Sequence, residues 1–341
     1  SIMLFSSLRW PTSSLLLAIF ALLGACSPSP EATSERGPQS QTQQSIHLTD
    51  GAQTILTYHP HTQYPPDSLP DYYQRSGFIH PLYSPKGKIL TDDFPDGHTH
   101  QHGIFFALVN TEFRGKFTDF WNQQKETGTV RATAANLQGD SLLIAQHEHL
   151  ALQDGDTIVA LREEWQLSVQ KKAAFHVVDL QSTLYPAGTD SLLIKQYKYG
   201  GLGIRGNEAW NNLQYELLNN KPIDLADPKV QLAFLTSKGD FRIAANHTRP
   251  DWIIMLGKLE GEFTGLVLMG SPRNFRFPQP VRVHPEMPYF SVSPMVLGDF
   301  VLHPGDSLVS RYRILTFDGV EPLTELDKEW RAYRFAEREN R

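Results

Sequence analysis

The densest chemistry in the sequence lies between Tyr72 and Trp121. There Thr91-Asp92-Asp93-Phe94-Pro95-Asp96-Gly97 runs into His98-Thr99-His100-Gln101-His102-Gly103, and seven of the chain's 13 histidines fall between positions 47 and 102. On an extended segment His98, His100 and His102 would share one face, adjacent members about 7 Å apart at Cα and the outer pair about 13 Å apart. Two neighbours could then share an ion, so His98 and His100 are half of a zinc, manganese or iron site that needs a further ligand from elsewhere. Used without metal, the same imidazoles serve as general acid or base and as hydrogen-bond donors, because histidine titrates near neutral pH. A third use is a turn of hydrogen-bonded histidines that orders a loop.

Other candidates are scattered. Glu163 interrupts the apolar face of Val159, Leu161 and Trp165, so it is either open to a cleft or a buried acid with a raised pKa. Asp119 and Trp121 could supply a carboxylate and a sugar-stacking ring. Arg205 follows Gly200-Gly201-Leu202-Gly203, where backbone could approach a ligand closely and a guanidinium could hold hydroxyls or a carboxylate. Asn246, His247 and Arg273 complete the set, and each also has an ordinary structural use. The glycine segment is not a phosphate loop, since no Gly-x-x-x-x-Gly-Lys-Ser/Thr accompanies it.

The elements that must position these residues are mostly strands. Period-2 alternation dominates from Ile46 onward, most clearly from Thr157 to Val169, where Val159, Leu161, Trp165, Leu167 and Val169 share one face and Arg162, Glu164, Gln166 and Ser168 the other. Similar runs occur at 141–149, 174–185, 191–199, 231–236, 241–245, 252–256, 263–269 and 307–317. One helix is expected at the C-terminus, with Pro322 in its first turn and Leu323, Leu326, Trp330 and Tyr333 on one face. The pattern predicts an all-β fold: a single large antiparallel β-sandwich over residues 46–341 with a short C-terminal helix.

Composition narrows the classes further. The chain of 341 residues carries 31 Lys+Arg against 37 Asp+Glu, an acidic balance that argues against general nucleic-acid binding. Its single cysteine excludes disulfides and multi-thiolate metal sites within one chain. That residue, Cys26, closes an apolar run Leu15–Leu23 behind Arg9, too short to span a bilayer. Residues 1–25 read as a lipoprotein signal peptide and Leu23-Gly24-Ala25-Cys26 resembles a lipobox, which implies lipidation at Cys26, a flexible tether over 26–45, and placement in the bacterial cell envelope, at the outer membrane given Ser27. Only the lipid would touch membrane, and no thiol would remain for catalysis.

The motifs resemble a bacterial family labelled methane oxygenase PmoA-like. The resemblance runs from about Tyr72 to the C-terminal helix. It rests on Pro81-Leu82-Tyr83-Ser84-Pro85, the His98–Gly103 block with Thr118-Asp119-Phe120-Trp121, Gly200–Arg205, Ser271-Pro272-Arg273-Asn274 with Phe277-Pro278, and Leu302–Leu308 leading to Tyr312-Arg313. Many members have His-His-Arg-Gly at 100–103, so His98, His100 and Gly103 carry over. Methane oxidation is rejected, because no spanning helix follows residue 26. The order of motifs is also similar to that of galactose-mutarotase-like supersandwich proteins, which implies a concave sheet face holding a sugar between histidines, a carboxylate and an arginine. The expected function is a secreted carbohydrate-active lipoprotein that moves a proton on a sugar or modified glycoside, as in epimerisation, lyase or ketoglycoside cleavage. His98 or His100 would pair with Glu163 or Asp119, while His102, Trp121, Arg205, Asn246, His247 and Arg273 bind substrate. The alternatives are a non-catalytic glycan-binding lipoprotein, and a hydrolase or lyase using a divalent metal on His98 and His100. No cofactor is required by the sequence.

Overall fold

The alternation around Trp165 becomes a 17-residue strand, Asp156–Lys172, with Leu161, Glu163, Trp165 and Leu167 turned inward. It is described in a computed structural model covering residues 44–211 and 223–339. The expected signal peptide, Cys26 and the expected tether up to residue 43 lie outside the described residues. Gln43–Arg341 form one compact unit.

Among the described residues three antiparallel sheets form. The largest has eight strands in the order Leu232–Thr236, Trp252–Leu259, Glu262–Gly270, Leu308–Asp318, Phe175–Pro186, Asp156–Lys172, Leu142–Gln153 and Gly128–Gln138. A seven-stranded sheet runs Ile46–Asp50, Gln53–His59, Phe78–Leu82, Ile104–Ala107, Gly201–Arg205, Tyr289–Val292 and Val281–Val283. Phe300–Leu302, Leu192–Ile194, Thr111–Phe113 and Lys116–Thr118 make a small third sheet. The fold is therefore the expected all-β sandwich with a C-terminal helix.

The two large sheets pack face to face. Leu161, Trp165 and Leu167 from one and Leu56, Tyr58 and Phe78 from the other belong to one continuous buried cluster, and each such side chain contributes roughly 1.5–3 kcal/mol on burial. One hydrogen-bonded pair crosses the layers, Tyr58 Oη 2.8 Å from His147 Nε2, and the 3₁₀ turn Glu208–Trp210 is tied to the eight-stranded sheet by Trp210 Nε1 donating to the Lys258 carbonyl at 3.1 Å. The indole fits because residue 257 is glycine; a Cβ there would lie 2.5 Å from Trp210 Cε2. On its outer face the eight-stranded sheet presents Val177, Val267, Met269, Leu315 and Phe317. Helix Leu326–Glu339 covers them with Leu326, Trp330 and Tyr333, spaced four and three residues apart. Among the described residues no helix is long and apolar enough to cross a membrane.

Three local expectations change. The 191–199 run shortens to Leu192–Ile194. Pro322 sits in a 3₁₀ turn, Glu321–Glu325, that precedes the helix proper. The 241–245 run is a helical turn, Arg242–Ala245, rather than a strand. Its alternation misleads because the cation is the buried member: Arg242 is 0% exposed, its guanidinium donating to the carbonyls of His284 and Met287, while Ile243 is exposed. These tertiary hydrogen bonds override the apolar pattern.

Candidate functional site

The segment carrying His98 and His100 is not a strand. Pro95 O accepts from His98 N, and His98 O accepts from Gln101 N, so the chain turns twice between 95 and 101. The turns bring the His98 and His100 rings to 5.8 Å between centroids and send His102 elsewhere. His102 is fully buried, Nδ1 2.8 Å from Asp93 Oδ1 and Nε2 3.1 Å from Gln123 Oε1. It orders the loop instead of binding substrate. The place expected for a third histidine is taken by His284, whose ring centroid is 6.0 Å from that of His98. The sequence reading missed it: His284 stands alone, just past the short strand Val281–Val283, with no local pattern to mark it.

Arg205 ends the strand Gly201–Arg205 beside this group. It is 1% exposed; Nη1 donates to Gln101 Oε1 at 3.0 Å and Nη2 to Asn211 Oδ1 at 2.8 Å, while Nε has no partner. Burial lowers its pKa to about 10, offset in part by Asp92, so it remains a cation at neutral pH. Among the described residues no carboxylate forms an ion pair with it. Asp92 is the nearest acid in electrostatic terms, and burial raises its pKa against the opposing pull of the Asp93 N–H and Arg205. The imidazoles respond in the opposite sense. Burial, with the neighbouring His98, His102, Arg205 and Lys125, lowers His100 to about 3. Burial with Arg282, His98, Arg242 and Arg205 lowers His284 to about 3, and burial with Arg205 lowers His98. All three are neutral at pH 7.

An aromatic group adjoins the cluster. Trp121 lies over Gly203, where a Cβ would approach its ring to 2.6 Å, and packs against Phe105, Tyr199 and Tyr289 with centroids 4.5, 5.5 and 6.1 Å away. At 1% exposure Trp121 cannot stack on a sugar as expected; it forms part of the support. Tyr289, opposite Arg205 in the sheet register and 6.4 Å from His284 between ring centroids, has a buried hydroxyl whose largest polar influence is Ser291.

The two carboxylates expected to partner the histidines are engaged elsewhere. Asp119 is fully buried; Oδ1 accepts from the backbone N–H groups of Trp121 and Asn122, and Oδ2 from Asn122 Nδ2 and Lys125 Nζ. Four donors hold it as a turn cap. Glu163 lies in the core between the sheets, Oε2 taking hydrogen bonds from His149 Nε2 (2.8 Å) and His147 Nδ1 (3.3 Å), Oε1 from Trp165 Nε1 (2.6 Å) and Ser182 Oγ (2.5 Å). Burial would raise its pKa, but the hydrogen bonds from His147 and His149 outweigh it and hold the carboxyl well below the usual range. Burial lowers His149 despite Glu163, so the arrangement is an ionised carboxylate taking a hydrogen bond from a neutral His149 N–H. Glu163 is the buried acid of the two alternatives, with its pKa shifted opposite to expectation.

Asn246 adjoins the His284 strand, but its Oδ1 already accepts from Arg282 Nη1 and Val283 N at 3.2 and 3.1 Å. His247, in the left-handed region at φ 63°, is exposed and places Nε2 3.0 Å from the Lys198 carbonyl. Arg273 lies beside the C-terminal helix, its Nη2 3.0 Å from Glu337 Oε2. The structure thus brings together His98, His100 and Arg205, adds His284, Asp92 and Tyr289, and does not bring in Glu163, Asp119 or Arg273. Among the described residues no group of three or more His, Cys, Asp or Glu side chains is arranged to hold a metal ion.

Chemically, the cluster offers neutral nitrogen bases beside a buried guanidinium whose partners are neutral. Such a pairing can accept a proton and hold the oxyanion left behind. The residues belong to a defined protein family: the chain is a member of DUF6807, a family of unknown function, whose model matches residues 45–331. The family matched carries no PmoA-like description. No curated protein matches the chain. Among solved structures, a galactose mutarotase related enzyme from Lactobacillus acidophilus aligns with 80% of this chain and 97% of its own at 6% identity and a TM-score of 0.38. Heparinase III aligns over 80% of this chain and 36% of its own (8% identity, TM-score 0.29), and a GH36 alpha-galactosidase from Geobacillus stearothermophilus over 70% and 29% (10% identity, TM-score 0.28).

Proposed function

We propose that this protein acts on a carbohydrate or modified glycoside at the face formed by His98, His100, His284 and Arg205. The observation that carries the proposal is the convergence of three neutral imidazoles and one buried guanidinium that forms no ion pair among the described residues, drawn from the turn at 95–101, the end of strand Gly201–Arg205 and the segment after Val283. Neutral imidazoles both donate to and accept from hydroxyls, which suits a polyol. His98, the most open of the three imidazoles, takes a proton from a hydroxyl or from a carbon next to a carbonyl, while His100 and His284, held near 3, are hydrogen-bond partners for hydroxyls. Arg205 holds the resulting oxyanion, and Asp92, with its raised pKa, replaces Glu163 and Asp119 as the carboxyl partner. The cations Arg205 and Arg282 act on the same imidazoles, an electrostatic setting that favours metal-free use over a divalent ion.

The test is NMR of glycoside and 3-keto-glycoside panels incubated with the protein, with and without chelator. Epimerisation, elimination or cleavage abolished in both His100→Ala and His284→Ala supports the reading. Binding without turnover on every panel member makes the protein a glycan-binding module instead. Turnover lost on chelation and restored by metal overturns the metal-free part. We also propose that the protein is tethered to the cell envelope by lipid on Cys26; this rests on the apolar run, the lipobox-like segment and the polar tether, and a Cys26→Ser chain that still partitions into detergent would contradict it.

A further inference from the structure

The motifs Ser271-Pro272-Arg273-Asn274 and Tyr312-Arg313 have no part in the histidine face, yet the fold brings them to one place. On the outer face of the eight-stranded sheet, beside helix Leu326–Glu339, lies a cavity of about 310 Å³ whose lining includes Arg273, Arg311, Arg313, Asp179 and Glu337. Arg311 and Arg313 point outward because Tyr312 between them enters the core. Two of the three guanidiniums face carboxylates. Arg313 donates from Nε and Nη2 to the two oxygens of Asp179, both at 2.7 Å, and Arg273 meets Glu337, which also accepts from Ser271 Oγ at 2.5 Å.

Arg311 is different. Its Nε donates to the neutral Gln181 Oε1 at 2.9 Å, and among the described residues it forms no ion pair. Asn274 grips its backbone from both sides, Oδ1 accepting from Arg311 N and Nδ2 donating to Arg311 O, each at 2.8 Å. The Ser-Pro-Arg-Asn motif therefore sets Arg311 beside Arg273, and after burial the like charge of Arg273 is the next influence that lowers the Arg311 pKa. Among the described lining residues three cations stand with two acids, and Glu337 draws on Arg311 as well as on Arg273.

Guanidinium forks take carboxylate or sulfate groups bidentately. The volume is at the lower end for ligand pockets, about 300–1,000 Å³, and suits one sugar unit, with the Ser168 hydroxyl and the Gln181 amide on the same wall for its hydroxyls. We propose that this cavity is a second binding site, for a saccharide unit bearing a carboxylate or sulfate, with Arg311 receiving the anionic group. The site is separate from the histidine face and does not depend on what that face does.

Calorimetric titration of the protein tests it, using methyl glucuronide, methyl glucoside 6-sulfate, methyl glucoside and inorganic sulfate at matched low ionic strength. The expected result is binding of at least one charged glycoside, with neutral methyl glucoside at least tenfold weaker. Arg311→Met should weaken the charged glycoside at least tenfold, and His100→Ala should leave it unchanged. Should Arg311→Met fail to fold, Arg311→Lys, which keeps the charge and removes the fork, is expected to weaken binding several-fold. Equal binding of charged and neutral glycosides, indifference to both Arg311 changes, or loss on His100→Ala overturns the proposal. Inorganic sulfate binding as tightly as the glycosides reduces the site to a simple oxyanion pocket and overturns its saccharide part.

Discussion

Glu163→Gln separates a structural role for this residue from a chemical one. The wild-type carboxylate accepts four hydrogen bonds at a fully buried position, two on each oxygen. Glutamine keeps one oxygen able to satisfy two donors and turns an NH₂ group toward the other two. Each buried donor left unsatisfied costs about 1–3 kcal/mol, so the two together cost about 2–6 kcal/mol. Urea unfolding followed by tryptophan fluorescence and circular dichroism at pH 7 measures the loss, with Trp165 reporting from beside the substitution. The folded fraction of the variant should bind ligand at the histidine face as the wild type does. A loss below about 1 kcal/mol would refute the reasoning. So would a stable variant that has lost turnover, which would return Glu163 to the chemistry.

Three further outcomes follow from the geometry. Gly203→Ala drives a Cβ to within 2.6 Å of the Trp121 ring; a cost of about 1–3 kcal/mol is expected in thermal or urea unfolding, with a shift in tryptophan emission and weaker ligand binding as the support of the site moves. Asp119→Asn keeps Oδ1 for the N–H groups of Trp121 and Asn122 but turns an NH₂ toward the buried Asn122 Nδ2 and should cost about 1–3 kcal/mol, whereas Asp119→Ala also leaves both N–H groups without their cap and should cost about 2 kcal/mol more; equal losses would count against the capping role. Between pH 6.5 and 5 the unfolded chain takes up protons at histidines that the folded chain keeps neutral, so stability should be full above 6.5 and fall as pH is lowered. His100 contributes up to about 1.4 kcal/mol per pH unit, and the partly open His98 and His284 less. His59, His80, His149 and His176, also lowered by burial, act in the same direction. The decisive comparison is His100→Asn, whose urea midpoint should vary less steeply with pH; an unchanged slope would contradict the burial assigned to His100.

Local pattern carried most of the fold and only part of the site. Strands such as Asp156–Lys172 are legible because alternation with a wet face is a property of neighbouring residues. That Glu163 turns inward is legible on the same ground, but whether the inward side is a cleft or a packed core depends on His147, His149 and Ser182 from adjacent strands. The histidine block showed its chemistry through residue type, while its turns at Pro95–His98 and His98–Gln101 separated His102 from a spacing it shares on paper. His284 reaches His98 across 186 positions, a contact no local period records. Arg242 shows the reverse case, a cation buried by carbonyl partners within a run that reads as alternating.

Apolar faces alone can slide over one another at little cost, since burial has no direction. The hydrogen bonds between Tyr58 and His147 and from Trp210 to Lys258 do have direction; the first joins the two large sheets and the second ties the turn after strand Gly201–Arg205 to the eight-stranded sheet. One such bond fixes a position and a second fixes the angle about it. Two directional ties of this kind set the seven-stranded sheet and the turn that follows Arg205 in register with the eight-stranded sheet, in addition to the apolar contact between them.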